Sequence, residues 1–221
     1  MIQDSTQANS LPAKAILFDM DGTLVDSTAA VESLWADFAV EYGLDLAELL
    51  DFSHGRQTID TLRRFLPHGP KELATLAAGL ETQEIANIEG IVEVPGAATF
   101  LESLGQTPYA VVTSAGRALA MSRLSAAGLP VPEVLIAAED VLAGKPSPEG
   151  YLLAASALGV DISDCIALED APAGLQAAVN SGAQTIVVGT YESMLTKSLA
   201  RIRDYTQLSF ANGLLHGHQS S

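Results

Sequence analysis

Apolar and polar positions along this chain follow two different rhythms. Short, nearly unbroken apolar runs end the stretch "AILF" (15–18) and recur as "YAVVT" (109–113), "EVLIA" (133–137), "CIALE" (165–169) and "QTIVVG" (184–189). Runs of this length with no polar alternation read as strands buried on both faces. Helical punctuation separates them. Ser147 and Pro148 look like an N-cap followed by proline at the first helical position, and Gly159 stands where a helix-ending glycine belongs. Gly128 and Gly182 similarly end the helical stretches that precede them. The pattern predicts an α/β fold with a parallel sheet covered on both sides.

Residues 27 to about 90 break that rhythm. Val31, Leu34, Trp35, Phe38 and Tyr42 recur at helical spacing, as do Ile59, Leu62 and Leu66, and again Leu73, Leu76 and Leu80. A small helical domain is therefore expected as an insertion after the first strand, with the α/β pattern resuming near "VPGAATFLESLG".

Composition narrows the function. At 221 residues and 48% hydrophobic, the chain can bury one sizeable core plus a smaller one. A net charge of -16 argues against nucleic acid and acidic lipid as partners. With 11 Lys and Arg in all, each base beside a motif is informative. The single Cys165 excludes an internal disulfide and a cysteine-based zinc site. The histidines His54, His68, His216 and His218 show no ligand spacing apart from the tail pair, and the tail "HGHQSS" reads as a disordered end. The polar start "MIQDSTQANS" lacks a signal-peptide core, and no apolar run reaches membrane-spanning length, so a cytoplasmic protein is expected.

Candidate chemistry gathers where the apolar runs stop. In "AILFDMDGTLV" (15–25) a buried run ends on Asp19 and Asp21, one residue apart. Carboxylates that close raise one another's pKa and stay ionised together only if a cation or hydrogen-bond donors hold them. "YAVVTS" ends on Thr113 and Ser114, Lys145 follows the third run in "AGKPSPE", and "CIALED" ends on Glu169 and Asp170. Ligands of open parallel sheets lie beyond the carboxyl ends of the strands. Each feature alone is an ordinary solvated strand end; the four together mark a site. Clustered carboxylates suit Mg²⁺, a hard cation. A carboxylate near a metal-bound phosphoryl group can attack phosphorus. Lys145, Thr113 and Ser114 supply positive charge and donors for the transferred group. Asp21 can protonate a leaving alkoxide and then activate water. Gly22 allows a turn that brings backbone N–H groups near a phosphate.

"DMDGT", "VVTS", "GKPSP" and "LEDAPAG" resemble the four motifs of the haloacid dehalogenase superfamily, and the insertion resembles its helical C1 cap. The resemblance covers residues 14 to about 190. It implies a Rossmann-like α/β core over 12–26 and 92–212 with a cap over 27–91. It implies Asp19 as nucleophile, Asp21 as acid/base, and Mg²⁺ held by Asp19, the backbone carbonyl of Asp21, and Asp170. It further implies Thr113 or Ser114, with Lys145, as phosphate ligands. Glu169 is either an orienting neighbour or a plain strand-end carboxylate.

Within the superfamily, Asp21 and a phosphate-binding Thr23 point to phosphate chemistry rather than dehalogenation. Lys71 in "GPKEL" reads as a surface residue, not a Schiff-base lysine. The β-phosphoglucomutase branch is the rival. Its members carry a histidine twelve residues after the nucleophile, where this chain has Val31 in an apolar stripe. Arg117 sits where mutases keep a base for a distal phosphate, and reads equally as an exposed helix-start charge. The segment "FSHGRQTIDTLRRFLP" resembles the specificity loop of bacterial sugar-phosphate and glycerol-phosphate phosphatases, with His54 and Arg56 toward the substrate. Arg63 and Arg64 read as the polar face of the next helix, Trp35 and Phe38 as cap core with room for one to face the substrate, Cys165 as an inert strand thiol, and Met20 as packing.

The expectation is a Mg²⁺-dependent hydrolase of small sugar or polyol phosphates, working through an aspartyl-phosphate, as a monomer or weak dimer. A sugar-phosphate mutase, a glycerol-3-phosphate or phosphoglycolate phosphatase, and a non-catalytic phosphate-binding module are the alternatives.

Overall fold

The structure is a computed structural model that describes residues 10–217. In chain order its strands are β1 (Ser10–Pro12), β2 (Ala15–Phe18), β3 (Val25–Asp26), β4 (Val92–Glu93), β5 (Tyr109–Val112), β6 (Val134–Ile136), β7 (Cys165–Glu169), β8 (Gln184–Val188), β9 (Ala200–Ile202), β10 (Leu208–Ala211) and β11 (Leu214–Gly217). The helices are α1 (Thr28–Tyr42), α2 (Leu46–Ser53), α3 (Thr58–Phe65), α4 (Pro70–Ala86), α5 (Ala97–Ser103), α6 (Arg117–Ala126), α7 (Glu149–Ala157) and α8 (Pro172–Ser181).

The central sheet runs β6-β5-β2-β7-β8-β9, and every pairing in it is parallel. β2 lies between β5 and β7, and all four of its residues are buried. Its side chains alternate between two cores. Ile16 and Phe18 join Phe100, Leu101, Leu124 and Tyr205 on one face. Ala15 and Leu17 meet Tyr151, Ala154 and Ala177 on the other. The second core is rich in alanine, and its small side chains let α7 and α8 lie close against the strands. Burying each large apolar side chain contributes about 1.5–3 kcal/mol. An aromatic group of Phe18, Phe100 and Tyr205 closes the first core, with Phe100 stacked on Tyr205 at 5.2 Å.

The apolar runs and the strands agree closely, and the differences are local. α7 begins at Glu149 with Pro148 as its cap, one residue later than the Ser-Pro pair suggests. Ser147 still does capping work: its Oγ accepts the Glu149 N–H at 3.3 Å. A second sheet, β1-β11-β10, is antiparallel and was not expected. Its strands have three or four residues each, too short for a clear period, but Phe210 and Leu215 reach the main core. The tail expectation is corrected here, because His216 lies in β11 opposite Ser10 and Ser209. His218 lies outside the described residues.

Helices α1 to α4 surround their own apolar core of Trp35, Phe38, Leu49, Leu62, Leu66, Leu73 and Leu80. Phe38 stacks on Tyr42 at 4.4 Å. The chain enters this unit through β3 and leaves it through β4. The two strands pair antiparallel, Val25 with Glu93 and Asp26 with Val92. This two-residue ladder sets the helical unit over the carboxyl edge of the sheet.

Candidate active site

The floor of the site is built from three adjacent strand ends. Asp19 follows β2, and its N–H donates to Leu168 O at 3.0 Å. Glu169 ends β7, Asp170 follows it, and Thr113 follows β5. Lys145 arrives on the loop after β6. Its ammonium donates to Asp19 Oδ1 and, at 2.6 Å, to Glu169 Oε1. The Tyr151 hydroxyl donates to the same Glu169 oxygen at 2.7 Å. Glu169 is therefore an integral part of the floor: fully buried, with the Asp170 N–H on its other oxygen. Gly174 of α8 faces it at the closest approach; a Cβ there would come within 1.9 Å of Glu169.

Electrostatics explain why these groups need one another. Burial, then the charge of Glu169, pushes the Asp19 carboxyl up to about 7, against the pull of Lys145. Burial, then Asp19 and Glu169, also raises Asp170 well above the usual carboxylate range. Burial alone would lower Lys145, but Asp19 and Glu169 outweigh it and hold the ammonium charged. One lysine thus stands against three carboxylates. Oxygens of Asp19, Glu169 and Asp170 all lie within 4.8 Å of one another. An all-oxygen carboxylate set of this kind, two members buried and Asp170 half-buried, fits a hard divalent cation. The Asp21 side chain is not in the set.

Asp21 stands apart from the floor. The turn after β2 is tied by Met20 O, which accepts the N–H groups of Thr23, Leu24 and Val25 at 2.8–3.2 Å. Gly22 takes φ +81° in this turn, and a Cβ on it would lie 2.1 Å from Asp170 Oδ2. Thr23 is correspondingly buried, and its hydroxyl donates to Asp170 Oδ1 at 3.1 Å. It orients that carboxylate, where the motif reading had it on phosphate. Asp21 Oδ1 accepts from Ser27 Oγ at 2.6 Å, and Oδ2 from Arg123 Nη1 at 2.9 Å.

A cavity opens above these groups. Asp19, Asp21, Thr113, Ser114 and Asp170 line it from below. Val31, Trp35, His54, Arg56 and Glu84 line it from the helical unit. His54 and Arg56 are thus brought to the same cavity as the Asp pair. Arg56 also lies over the Phe52 ring at 4.5 Å. Between them, Gly55 O accepts the Ser114 hydroxyl at 2.9 Å. Trp35 and Val31 belong to the helical core and the cavity wall together.

Arg117 is not brought to the cavity. Its guanidinium donates to Asp140 at 2.5 Å and to Leu135 O at 3.1 Å, so both arms are drawn along the core surface. The substrate role expected for Arg117 finds its guanidinium held at Asp140 and Leu135 instead. Lys71 is exposed, and Arg63 and Arg64 pair with Asp60 and Glu48 on the outer face of α3. Cys165 is buried, and burial pushes its thiol up to about 11, which leaves it inert.

Sequence reasoning missed Arg123, Glu84, Ser27 and Tyr151. A signal for Arg123 exists: it recurs one turn after Leu119, on the buried stripe of α6 with Ala120 and Leu124. A charge on an apolar stripe demands a buried partner.

Comparison with known proteins agrees with this geometry. A family model for haloacid dehalogenase-like hydrolases matches residues 13–182. The chain is 43% identical over 178 residues to hexitol phosphatase A of Escherichia coli strain K12, covering 79% of this chain and 82% of that protein. It is 33% identical over 198 residues to glycerol-1-phosphate phosphohydrolase 2 of Saccharomyces cerevisiae, covering 84% and 78%. In fold it is similar to the crystal structure of β-phosphoglucomutase from Clostridium difficile, with TM-score 0.80 and 23% identity over 90% of this chain and 94% of that one. No helix among the described residues is long and apolar enough to cross a membrane. With the four motif segments meeting at one sheet edge and a matching family model over most of its length, the chain belongs to the haloacid dehalogenase-like hydrolases, as a phosphoric monoester hydrolase.

Proposed function

We propose that this enzyme hydrolyses small sugar or polyol monophosphates through an aspartyl-phosphate on Asp19, with Mg²⁺ as its cofactor. One observation carries the reading. A buried carboxylate, Asp19, sits on the cavity floor against Lys145, while a second, Asp21, is held separately on the same cavity. Similarity to a hexitol phosphatase and a glycerol-phosphate phosphohydrolase supports the substrate class.

Asp19, Asp170 and the backbone carbonyl of Asp21 are the proposed Mg²⁺ ligands, with Glu169 behind them. When bound, the cation neutralises the clustered carboxylates and screens the phosphate charge as it nears Asp19. Thr113, the Ser114 backbone and Lys145 hold the phosphate oxygens. A carboxylate oxygen of Asp19 forms a bond to phosphorus as the ester P–O bond breaks, and Asp21 gives its proton to the leaving alkoxide. Asp21, now a carboxylate, takes a proton from water as that water attacks phosphorus. The P–O bond to Asp19 breaks, freeing inorganic phosphate and the Asp19 carboxylate. Residues 27–91 act as the cap that excludes bulk water, and His54 and Arg56 meet the organic part of the substrate.

A mutase must also hold a second, distal phosphate. Arg117 is engaged with Asp140, and Val31 presents an apolar wall, which favours the hydrolase. The net charge of -16 accords with the absence of a nucleic-acid partner.

The test is phosphate release from hexitol, hexose, pentose, glycerol and glycolate phosphates, in Mg²⁺ and in EDTA. Mg²⁺-dependent release from sugar or polyol phosphates is expected, and Asp19→Ala abolishes it. Asp21→Asn still forms phosphoenzyme but turns over slowly. Isomerisation of a sugar phosphate without net release would replace the hydrolase by the mutase.

A further inference from the structure

Arg123 is a core residue that touches the helical unit. It rises from α6, is 4% exposed, and makes two ion pairs of different origin. Nη1 donates to Asp21 Oδ2 at 2.9 Å, within the core. Nη2 donates to Glu84 Oε1 at 2.7 Å, on α4. Glu84 is itself nearly covered, with its side chain 10% exposed. The third donor, Nε–H, finds no acceptor among the described residues. Among the described residues, the two carboxylates are therefore the hydrogen-bonding anchors of the guanidinium. Its planar fork serves both at once and fixes the angle between them, which the rotatable ammonium of a lysine does not.

Asp21, for its part, has one oxygen on Ser27 Oγ and the other on Arg123. Any rotation of its carboxylate changes its bond to Arg123, and any shift of α4 changes the bond from Arg123 to Glu84. The three groups form one chain of charge from the helical unit to Asp21.

We infer that Arg123 is the positioning residue for Asp21, and that Glu84 sets Arg123, so the proton donor is aligned only while the helical unit is seated. This rests on the phosphatase reading above, in which Asp21 protonates the leaving oxygen. The motif residues alone do not require it: nothing in "DMDGT" or "LEDAPAG" asks for a buried arginine on α6. The geometry does, because without Arg123 one oxygen of Asp21 loses its donor and Glu84 is left buried without a counter-charge.

The experiment compares kcat/KM, which reports through departure of the leaving group, for two substrates. Sorbitol 6-phosphate leaves as an alkoxide and needs a proton; 4-nitrophenyl phosphate leaves as a stable phenolate and needs none. Arg123→Met is expected to lower kcat/KM for sorbitol 6-phosphate by about ten- to a hundredfold. The value for 4-nitrophenyl phosphate should fall several times less. Arg123→Lys should recover part of the difference. Because Arg123→Met strands Glu84, the double variant Arg123→Met/Glu84→Met removes both charges and restores the fold. It should keep the split between substrates while its thermal midpoint returns toward wild type. Asp21→Asn is the reference. If it splits the two substrates and the double variant does not, the inference is overturned and the phosphatase reading stands. If Asp21→Asn itself shows no split, the role of Asp21 falls and takes the inference with it.

Discussion

The Ser114 hydroxyl donates to the Gly55 carbonyl at 2.9 Å, joining the end of a sheet strand to a loop 59 residues earlier in the helical unit. That loop also carries His54 and Arg56, so this hydrogen bond seats the loop proposed to meet the substrate on the strand end proposed to bind phosphate. Gly55 takes φ +74°, and a Cβ there would lie 2.9 Å from the Ala171 Cβ. Gly55→Ala also strains a positive φ, at a cost of about 1–3 kcal/mol, and is expected to hold the helical unit off the core and lower kcat/KM by at least tenfold. Ser114→Ala, which loses one neutral hydrogen bond worth about 1 kcal/mol, should cost several-fold. Wild-type kcat/KM in Gly55→Ala would show that the loop contact is incidental.

Gly22 packs against Asp170 more tightly than any side chain allows. Gly22→Ala must displace the Asp170 carboxylate and also strain a positive φ, at a cost of about 1–3 kcal/mol. Its Mg²⁺ affinity, followed by isothermal calorimetry, should drop by tenfold or more. Unchanged affinity would remove Asp170 from the cation site.

Asp19 makes metal-free stability depend on pH. Its folded value of about 7 lies above the ordinary 3.8, so the folded state binds the proton more tightly than the unfolded one. The stability this brings is complete below the ordinary value and is lost as pH rises through about 7. In EDTA, wild type should therefore lose more stability than Asp19→Asn between those two pH values. Mg²⁺ competes with that proton, so its affinity should rise over the same window. Parallel stability profiles for the two proteins would contradict the raised value.

Lys145 is the counter-charge of the floor, 5% exposed and shared by Asp19 and Glu169. Lys145→Met leaves both carboxylates buried and facing one another, a loss of about 3–5 kcal/mol. Urea unfolding should show the loss in EDTA and a partial recovery in Mg²⁺. Turnover should be lost in both conditions. A denaturation midpoint equal to wild type would mean that the floor does not rely on this lysine.

The sequence by itself determined the sheet and the floor of the site. Short apolar runs bounded by turn and helix signals read as buried strands, and carboxylates placed at their ends meet at one edge once the strands are parallel neighbours. Asp19, Asp170, Thr113 and Lys145 were legible for that reason, and the helical spacing of Trp35, Phe38, Leu62 and Leu73 announced the inserted unit. Only the tertiary structure decided what each of these groups holds. Arg117 and Arg123 lie six residues apart on one helix; the apolar stripe marks the second as buried, but only packing chose the partners, Asp140 for the first and Asp21 with Glu84 for the second. Thr23 went to Asp170 and Ser114 to Gly55 because their nearest acceptors come from distant segments. The β1-β11-β10 sheet was hidden for a related reason: its strands are too short to show a period, and they exist through pairing between the two ends of the described chain. Periodicity reports which face of an element is buried, whereas the partner of a buried charge is chosen by whatever the fold brings opposite it.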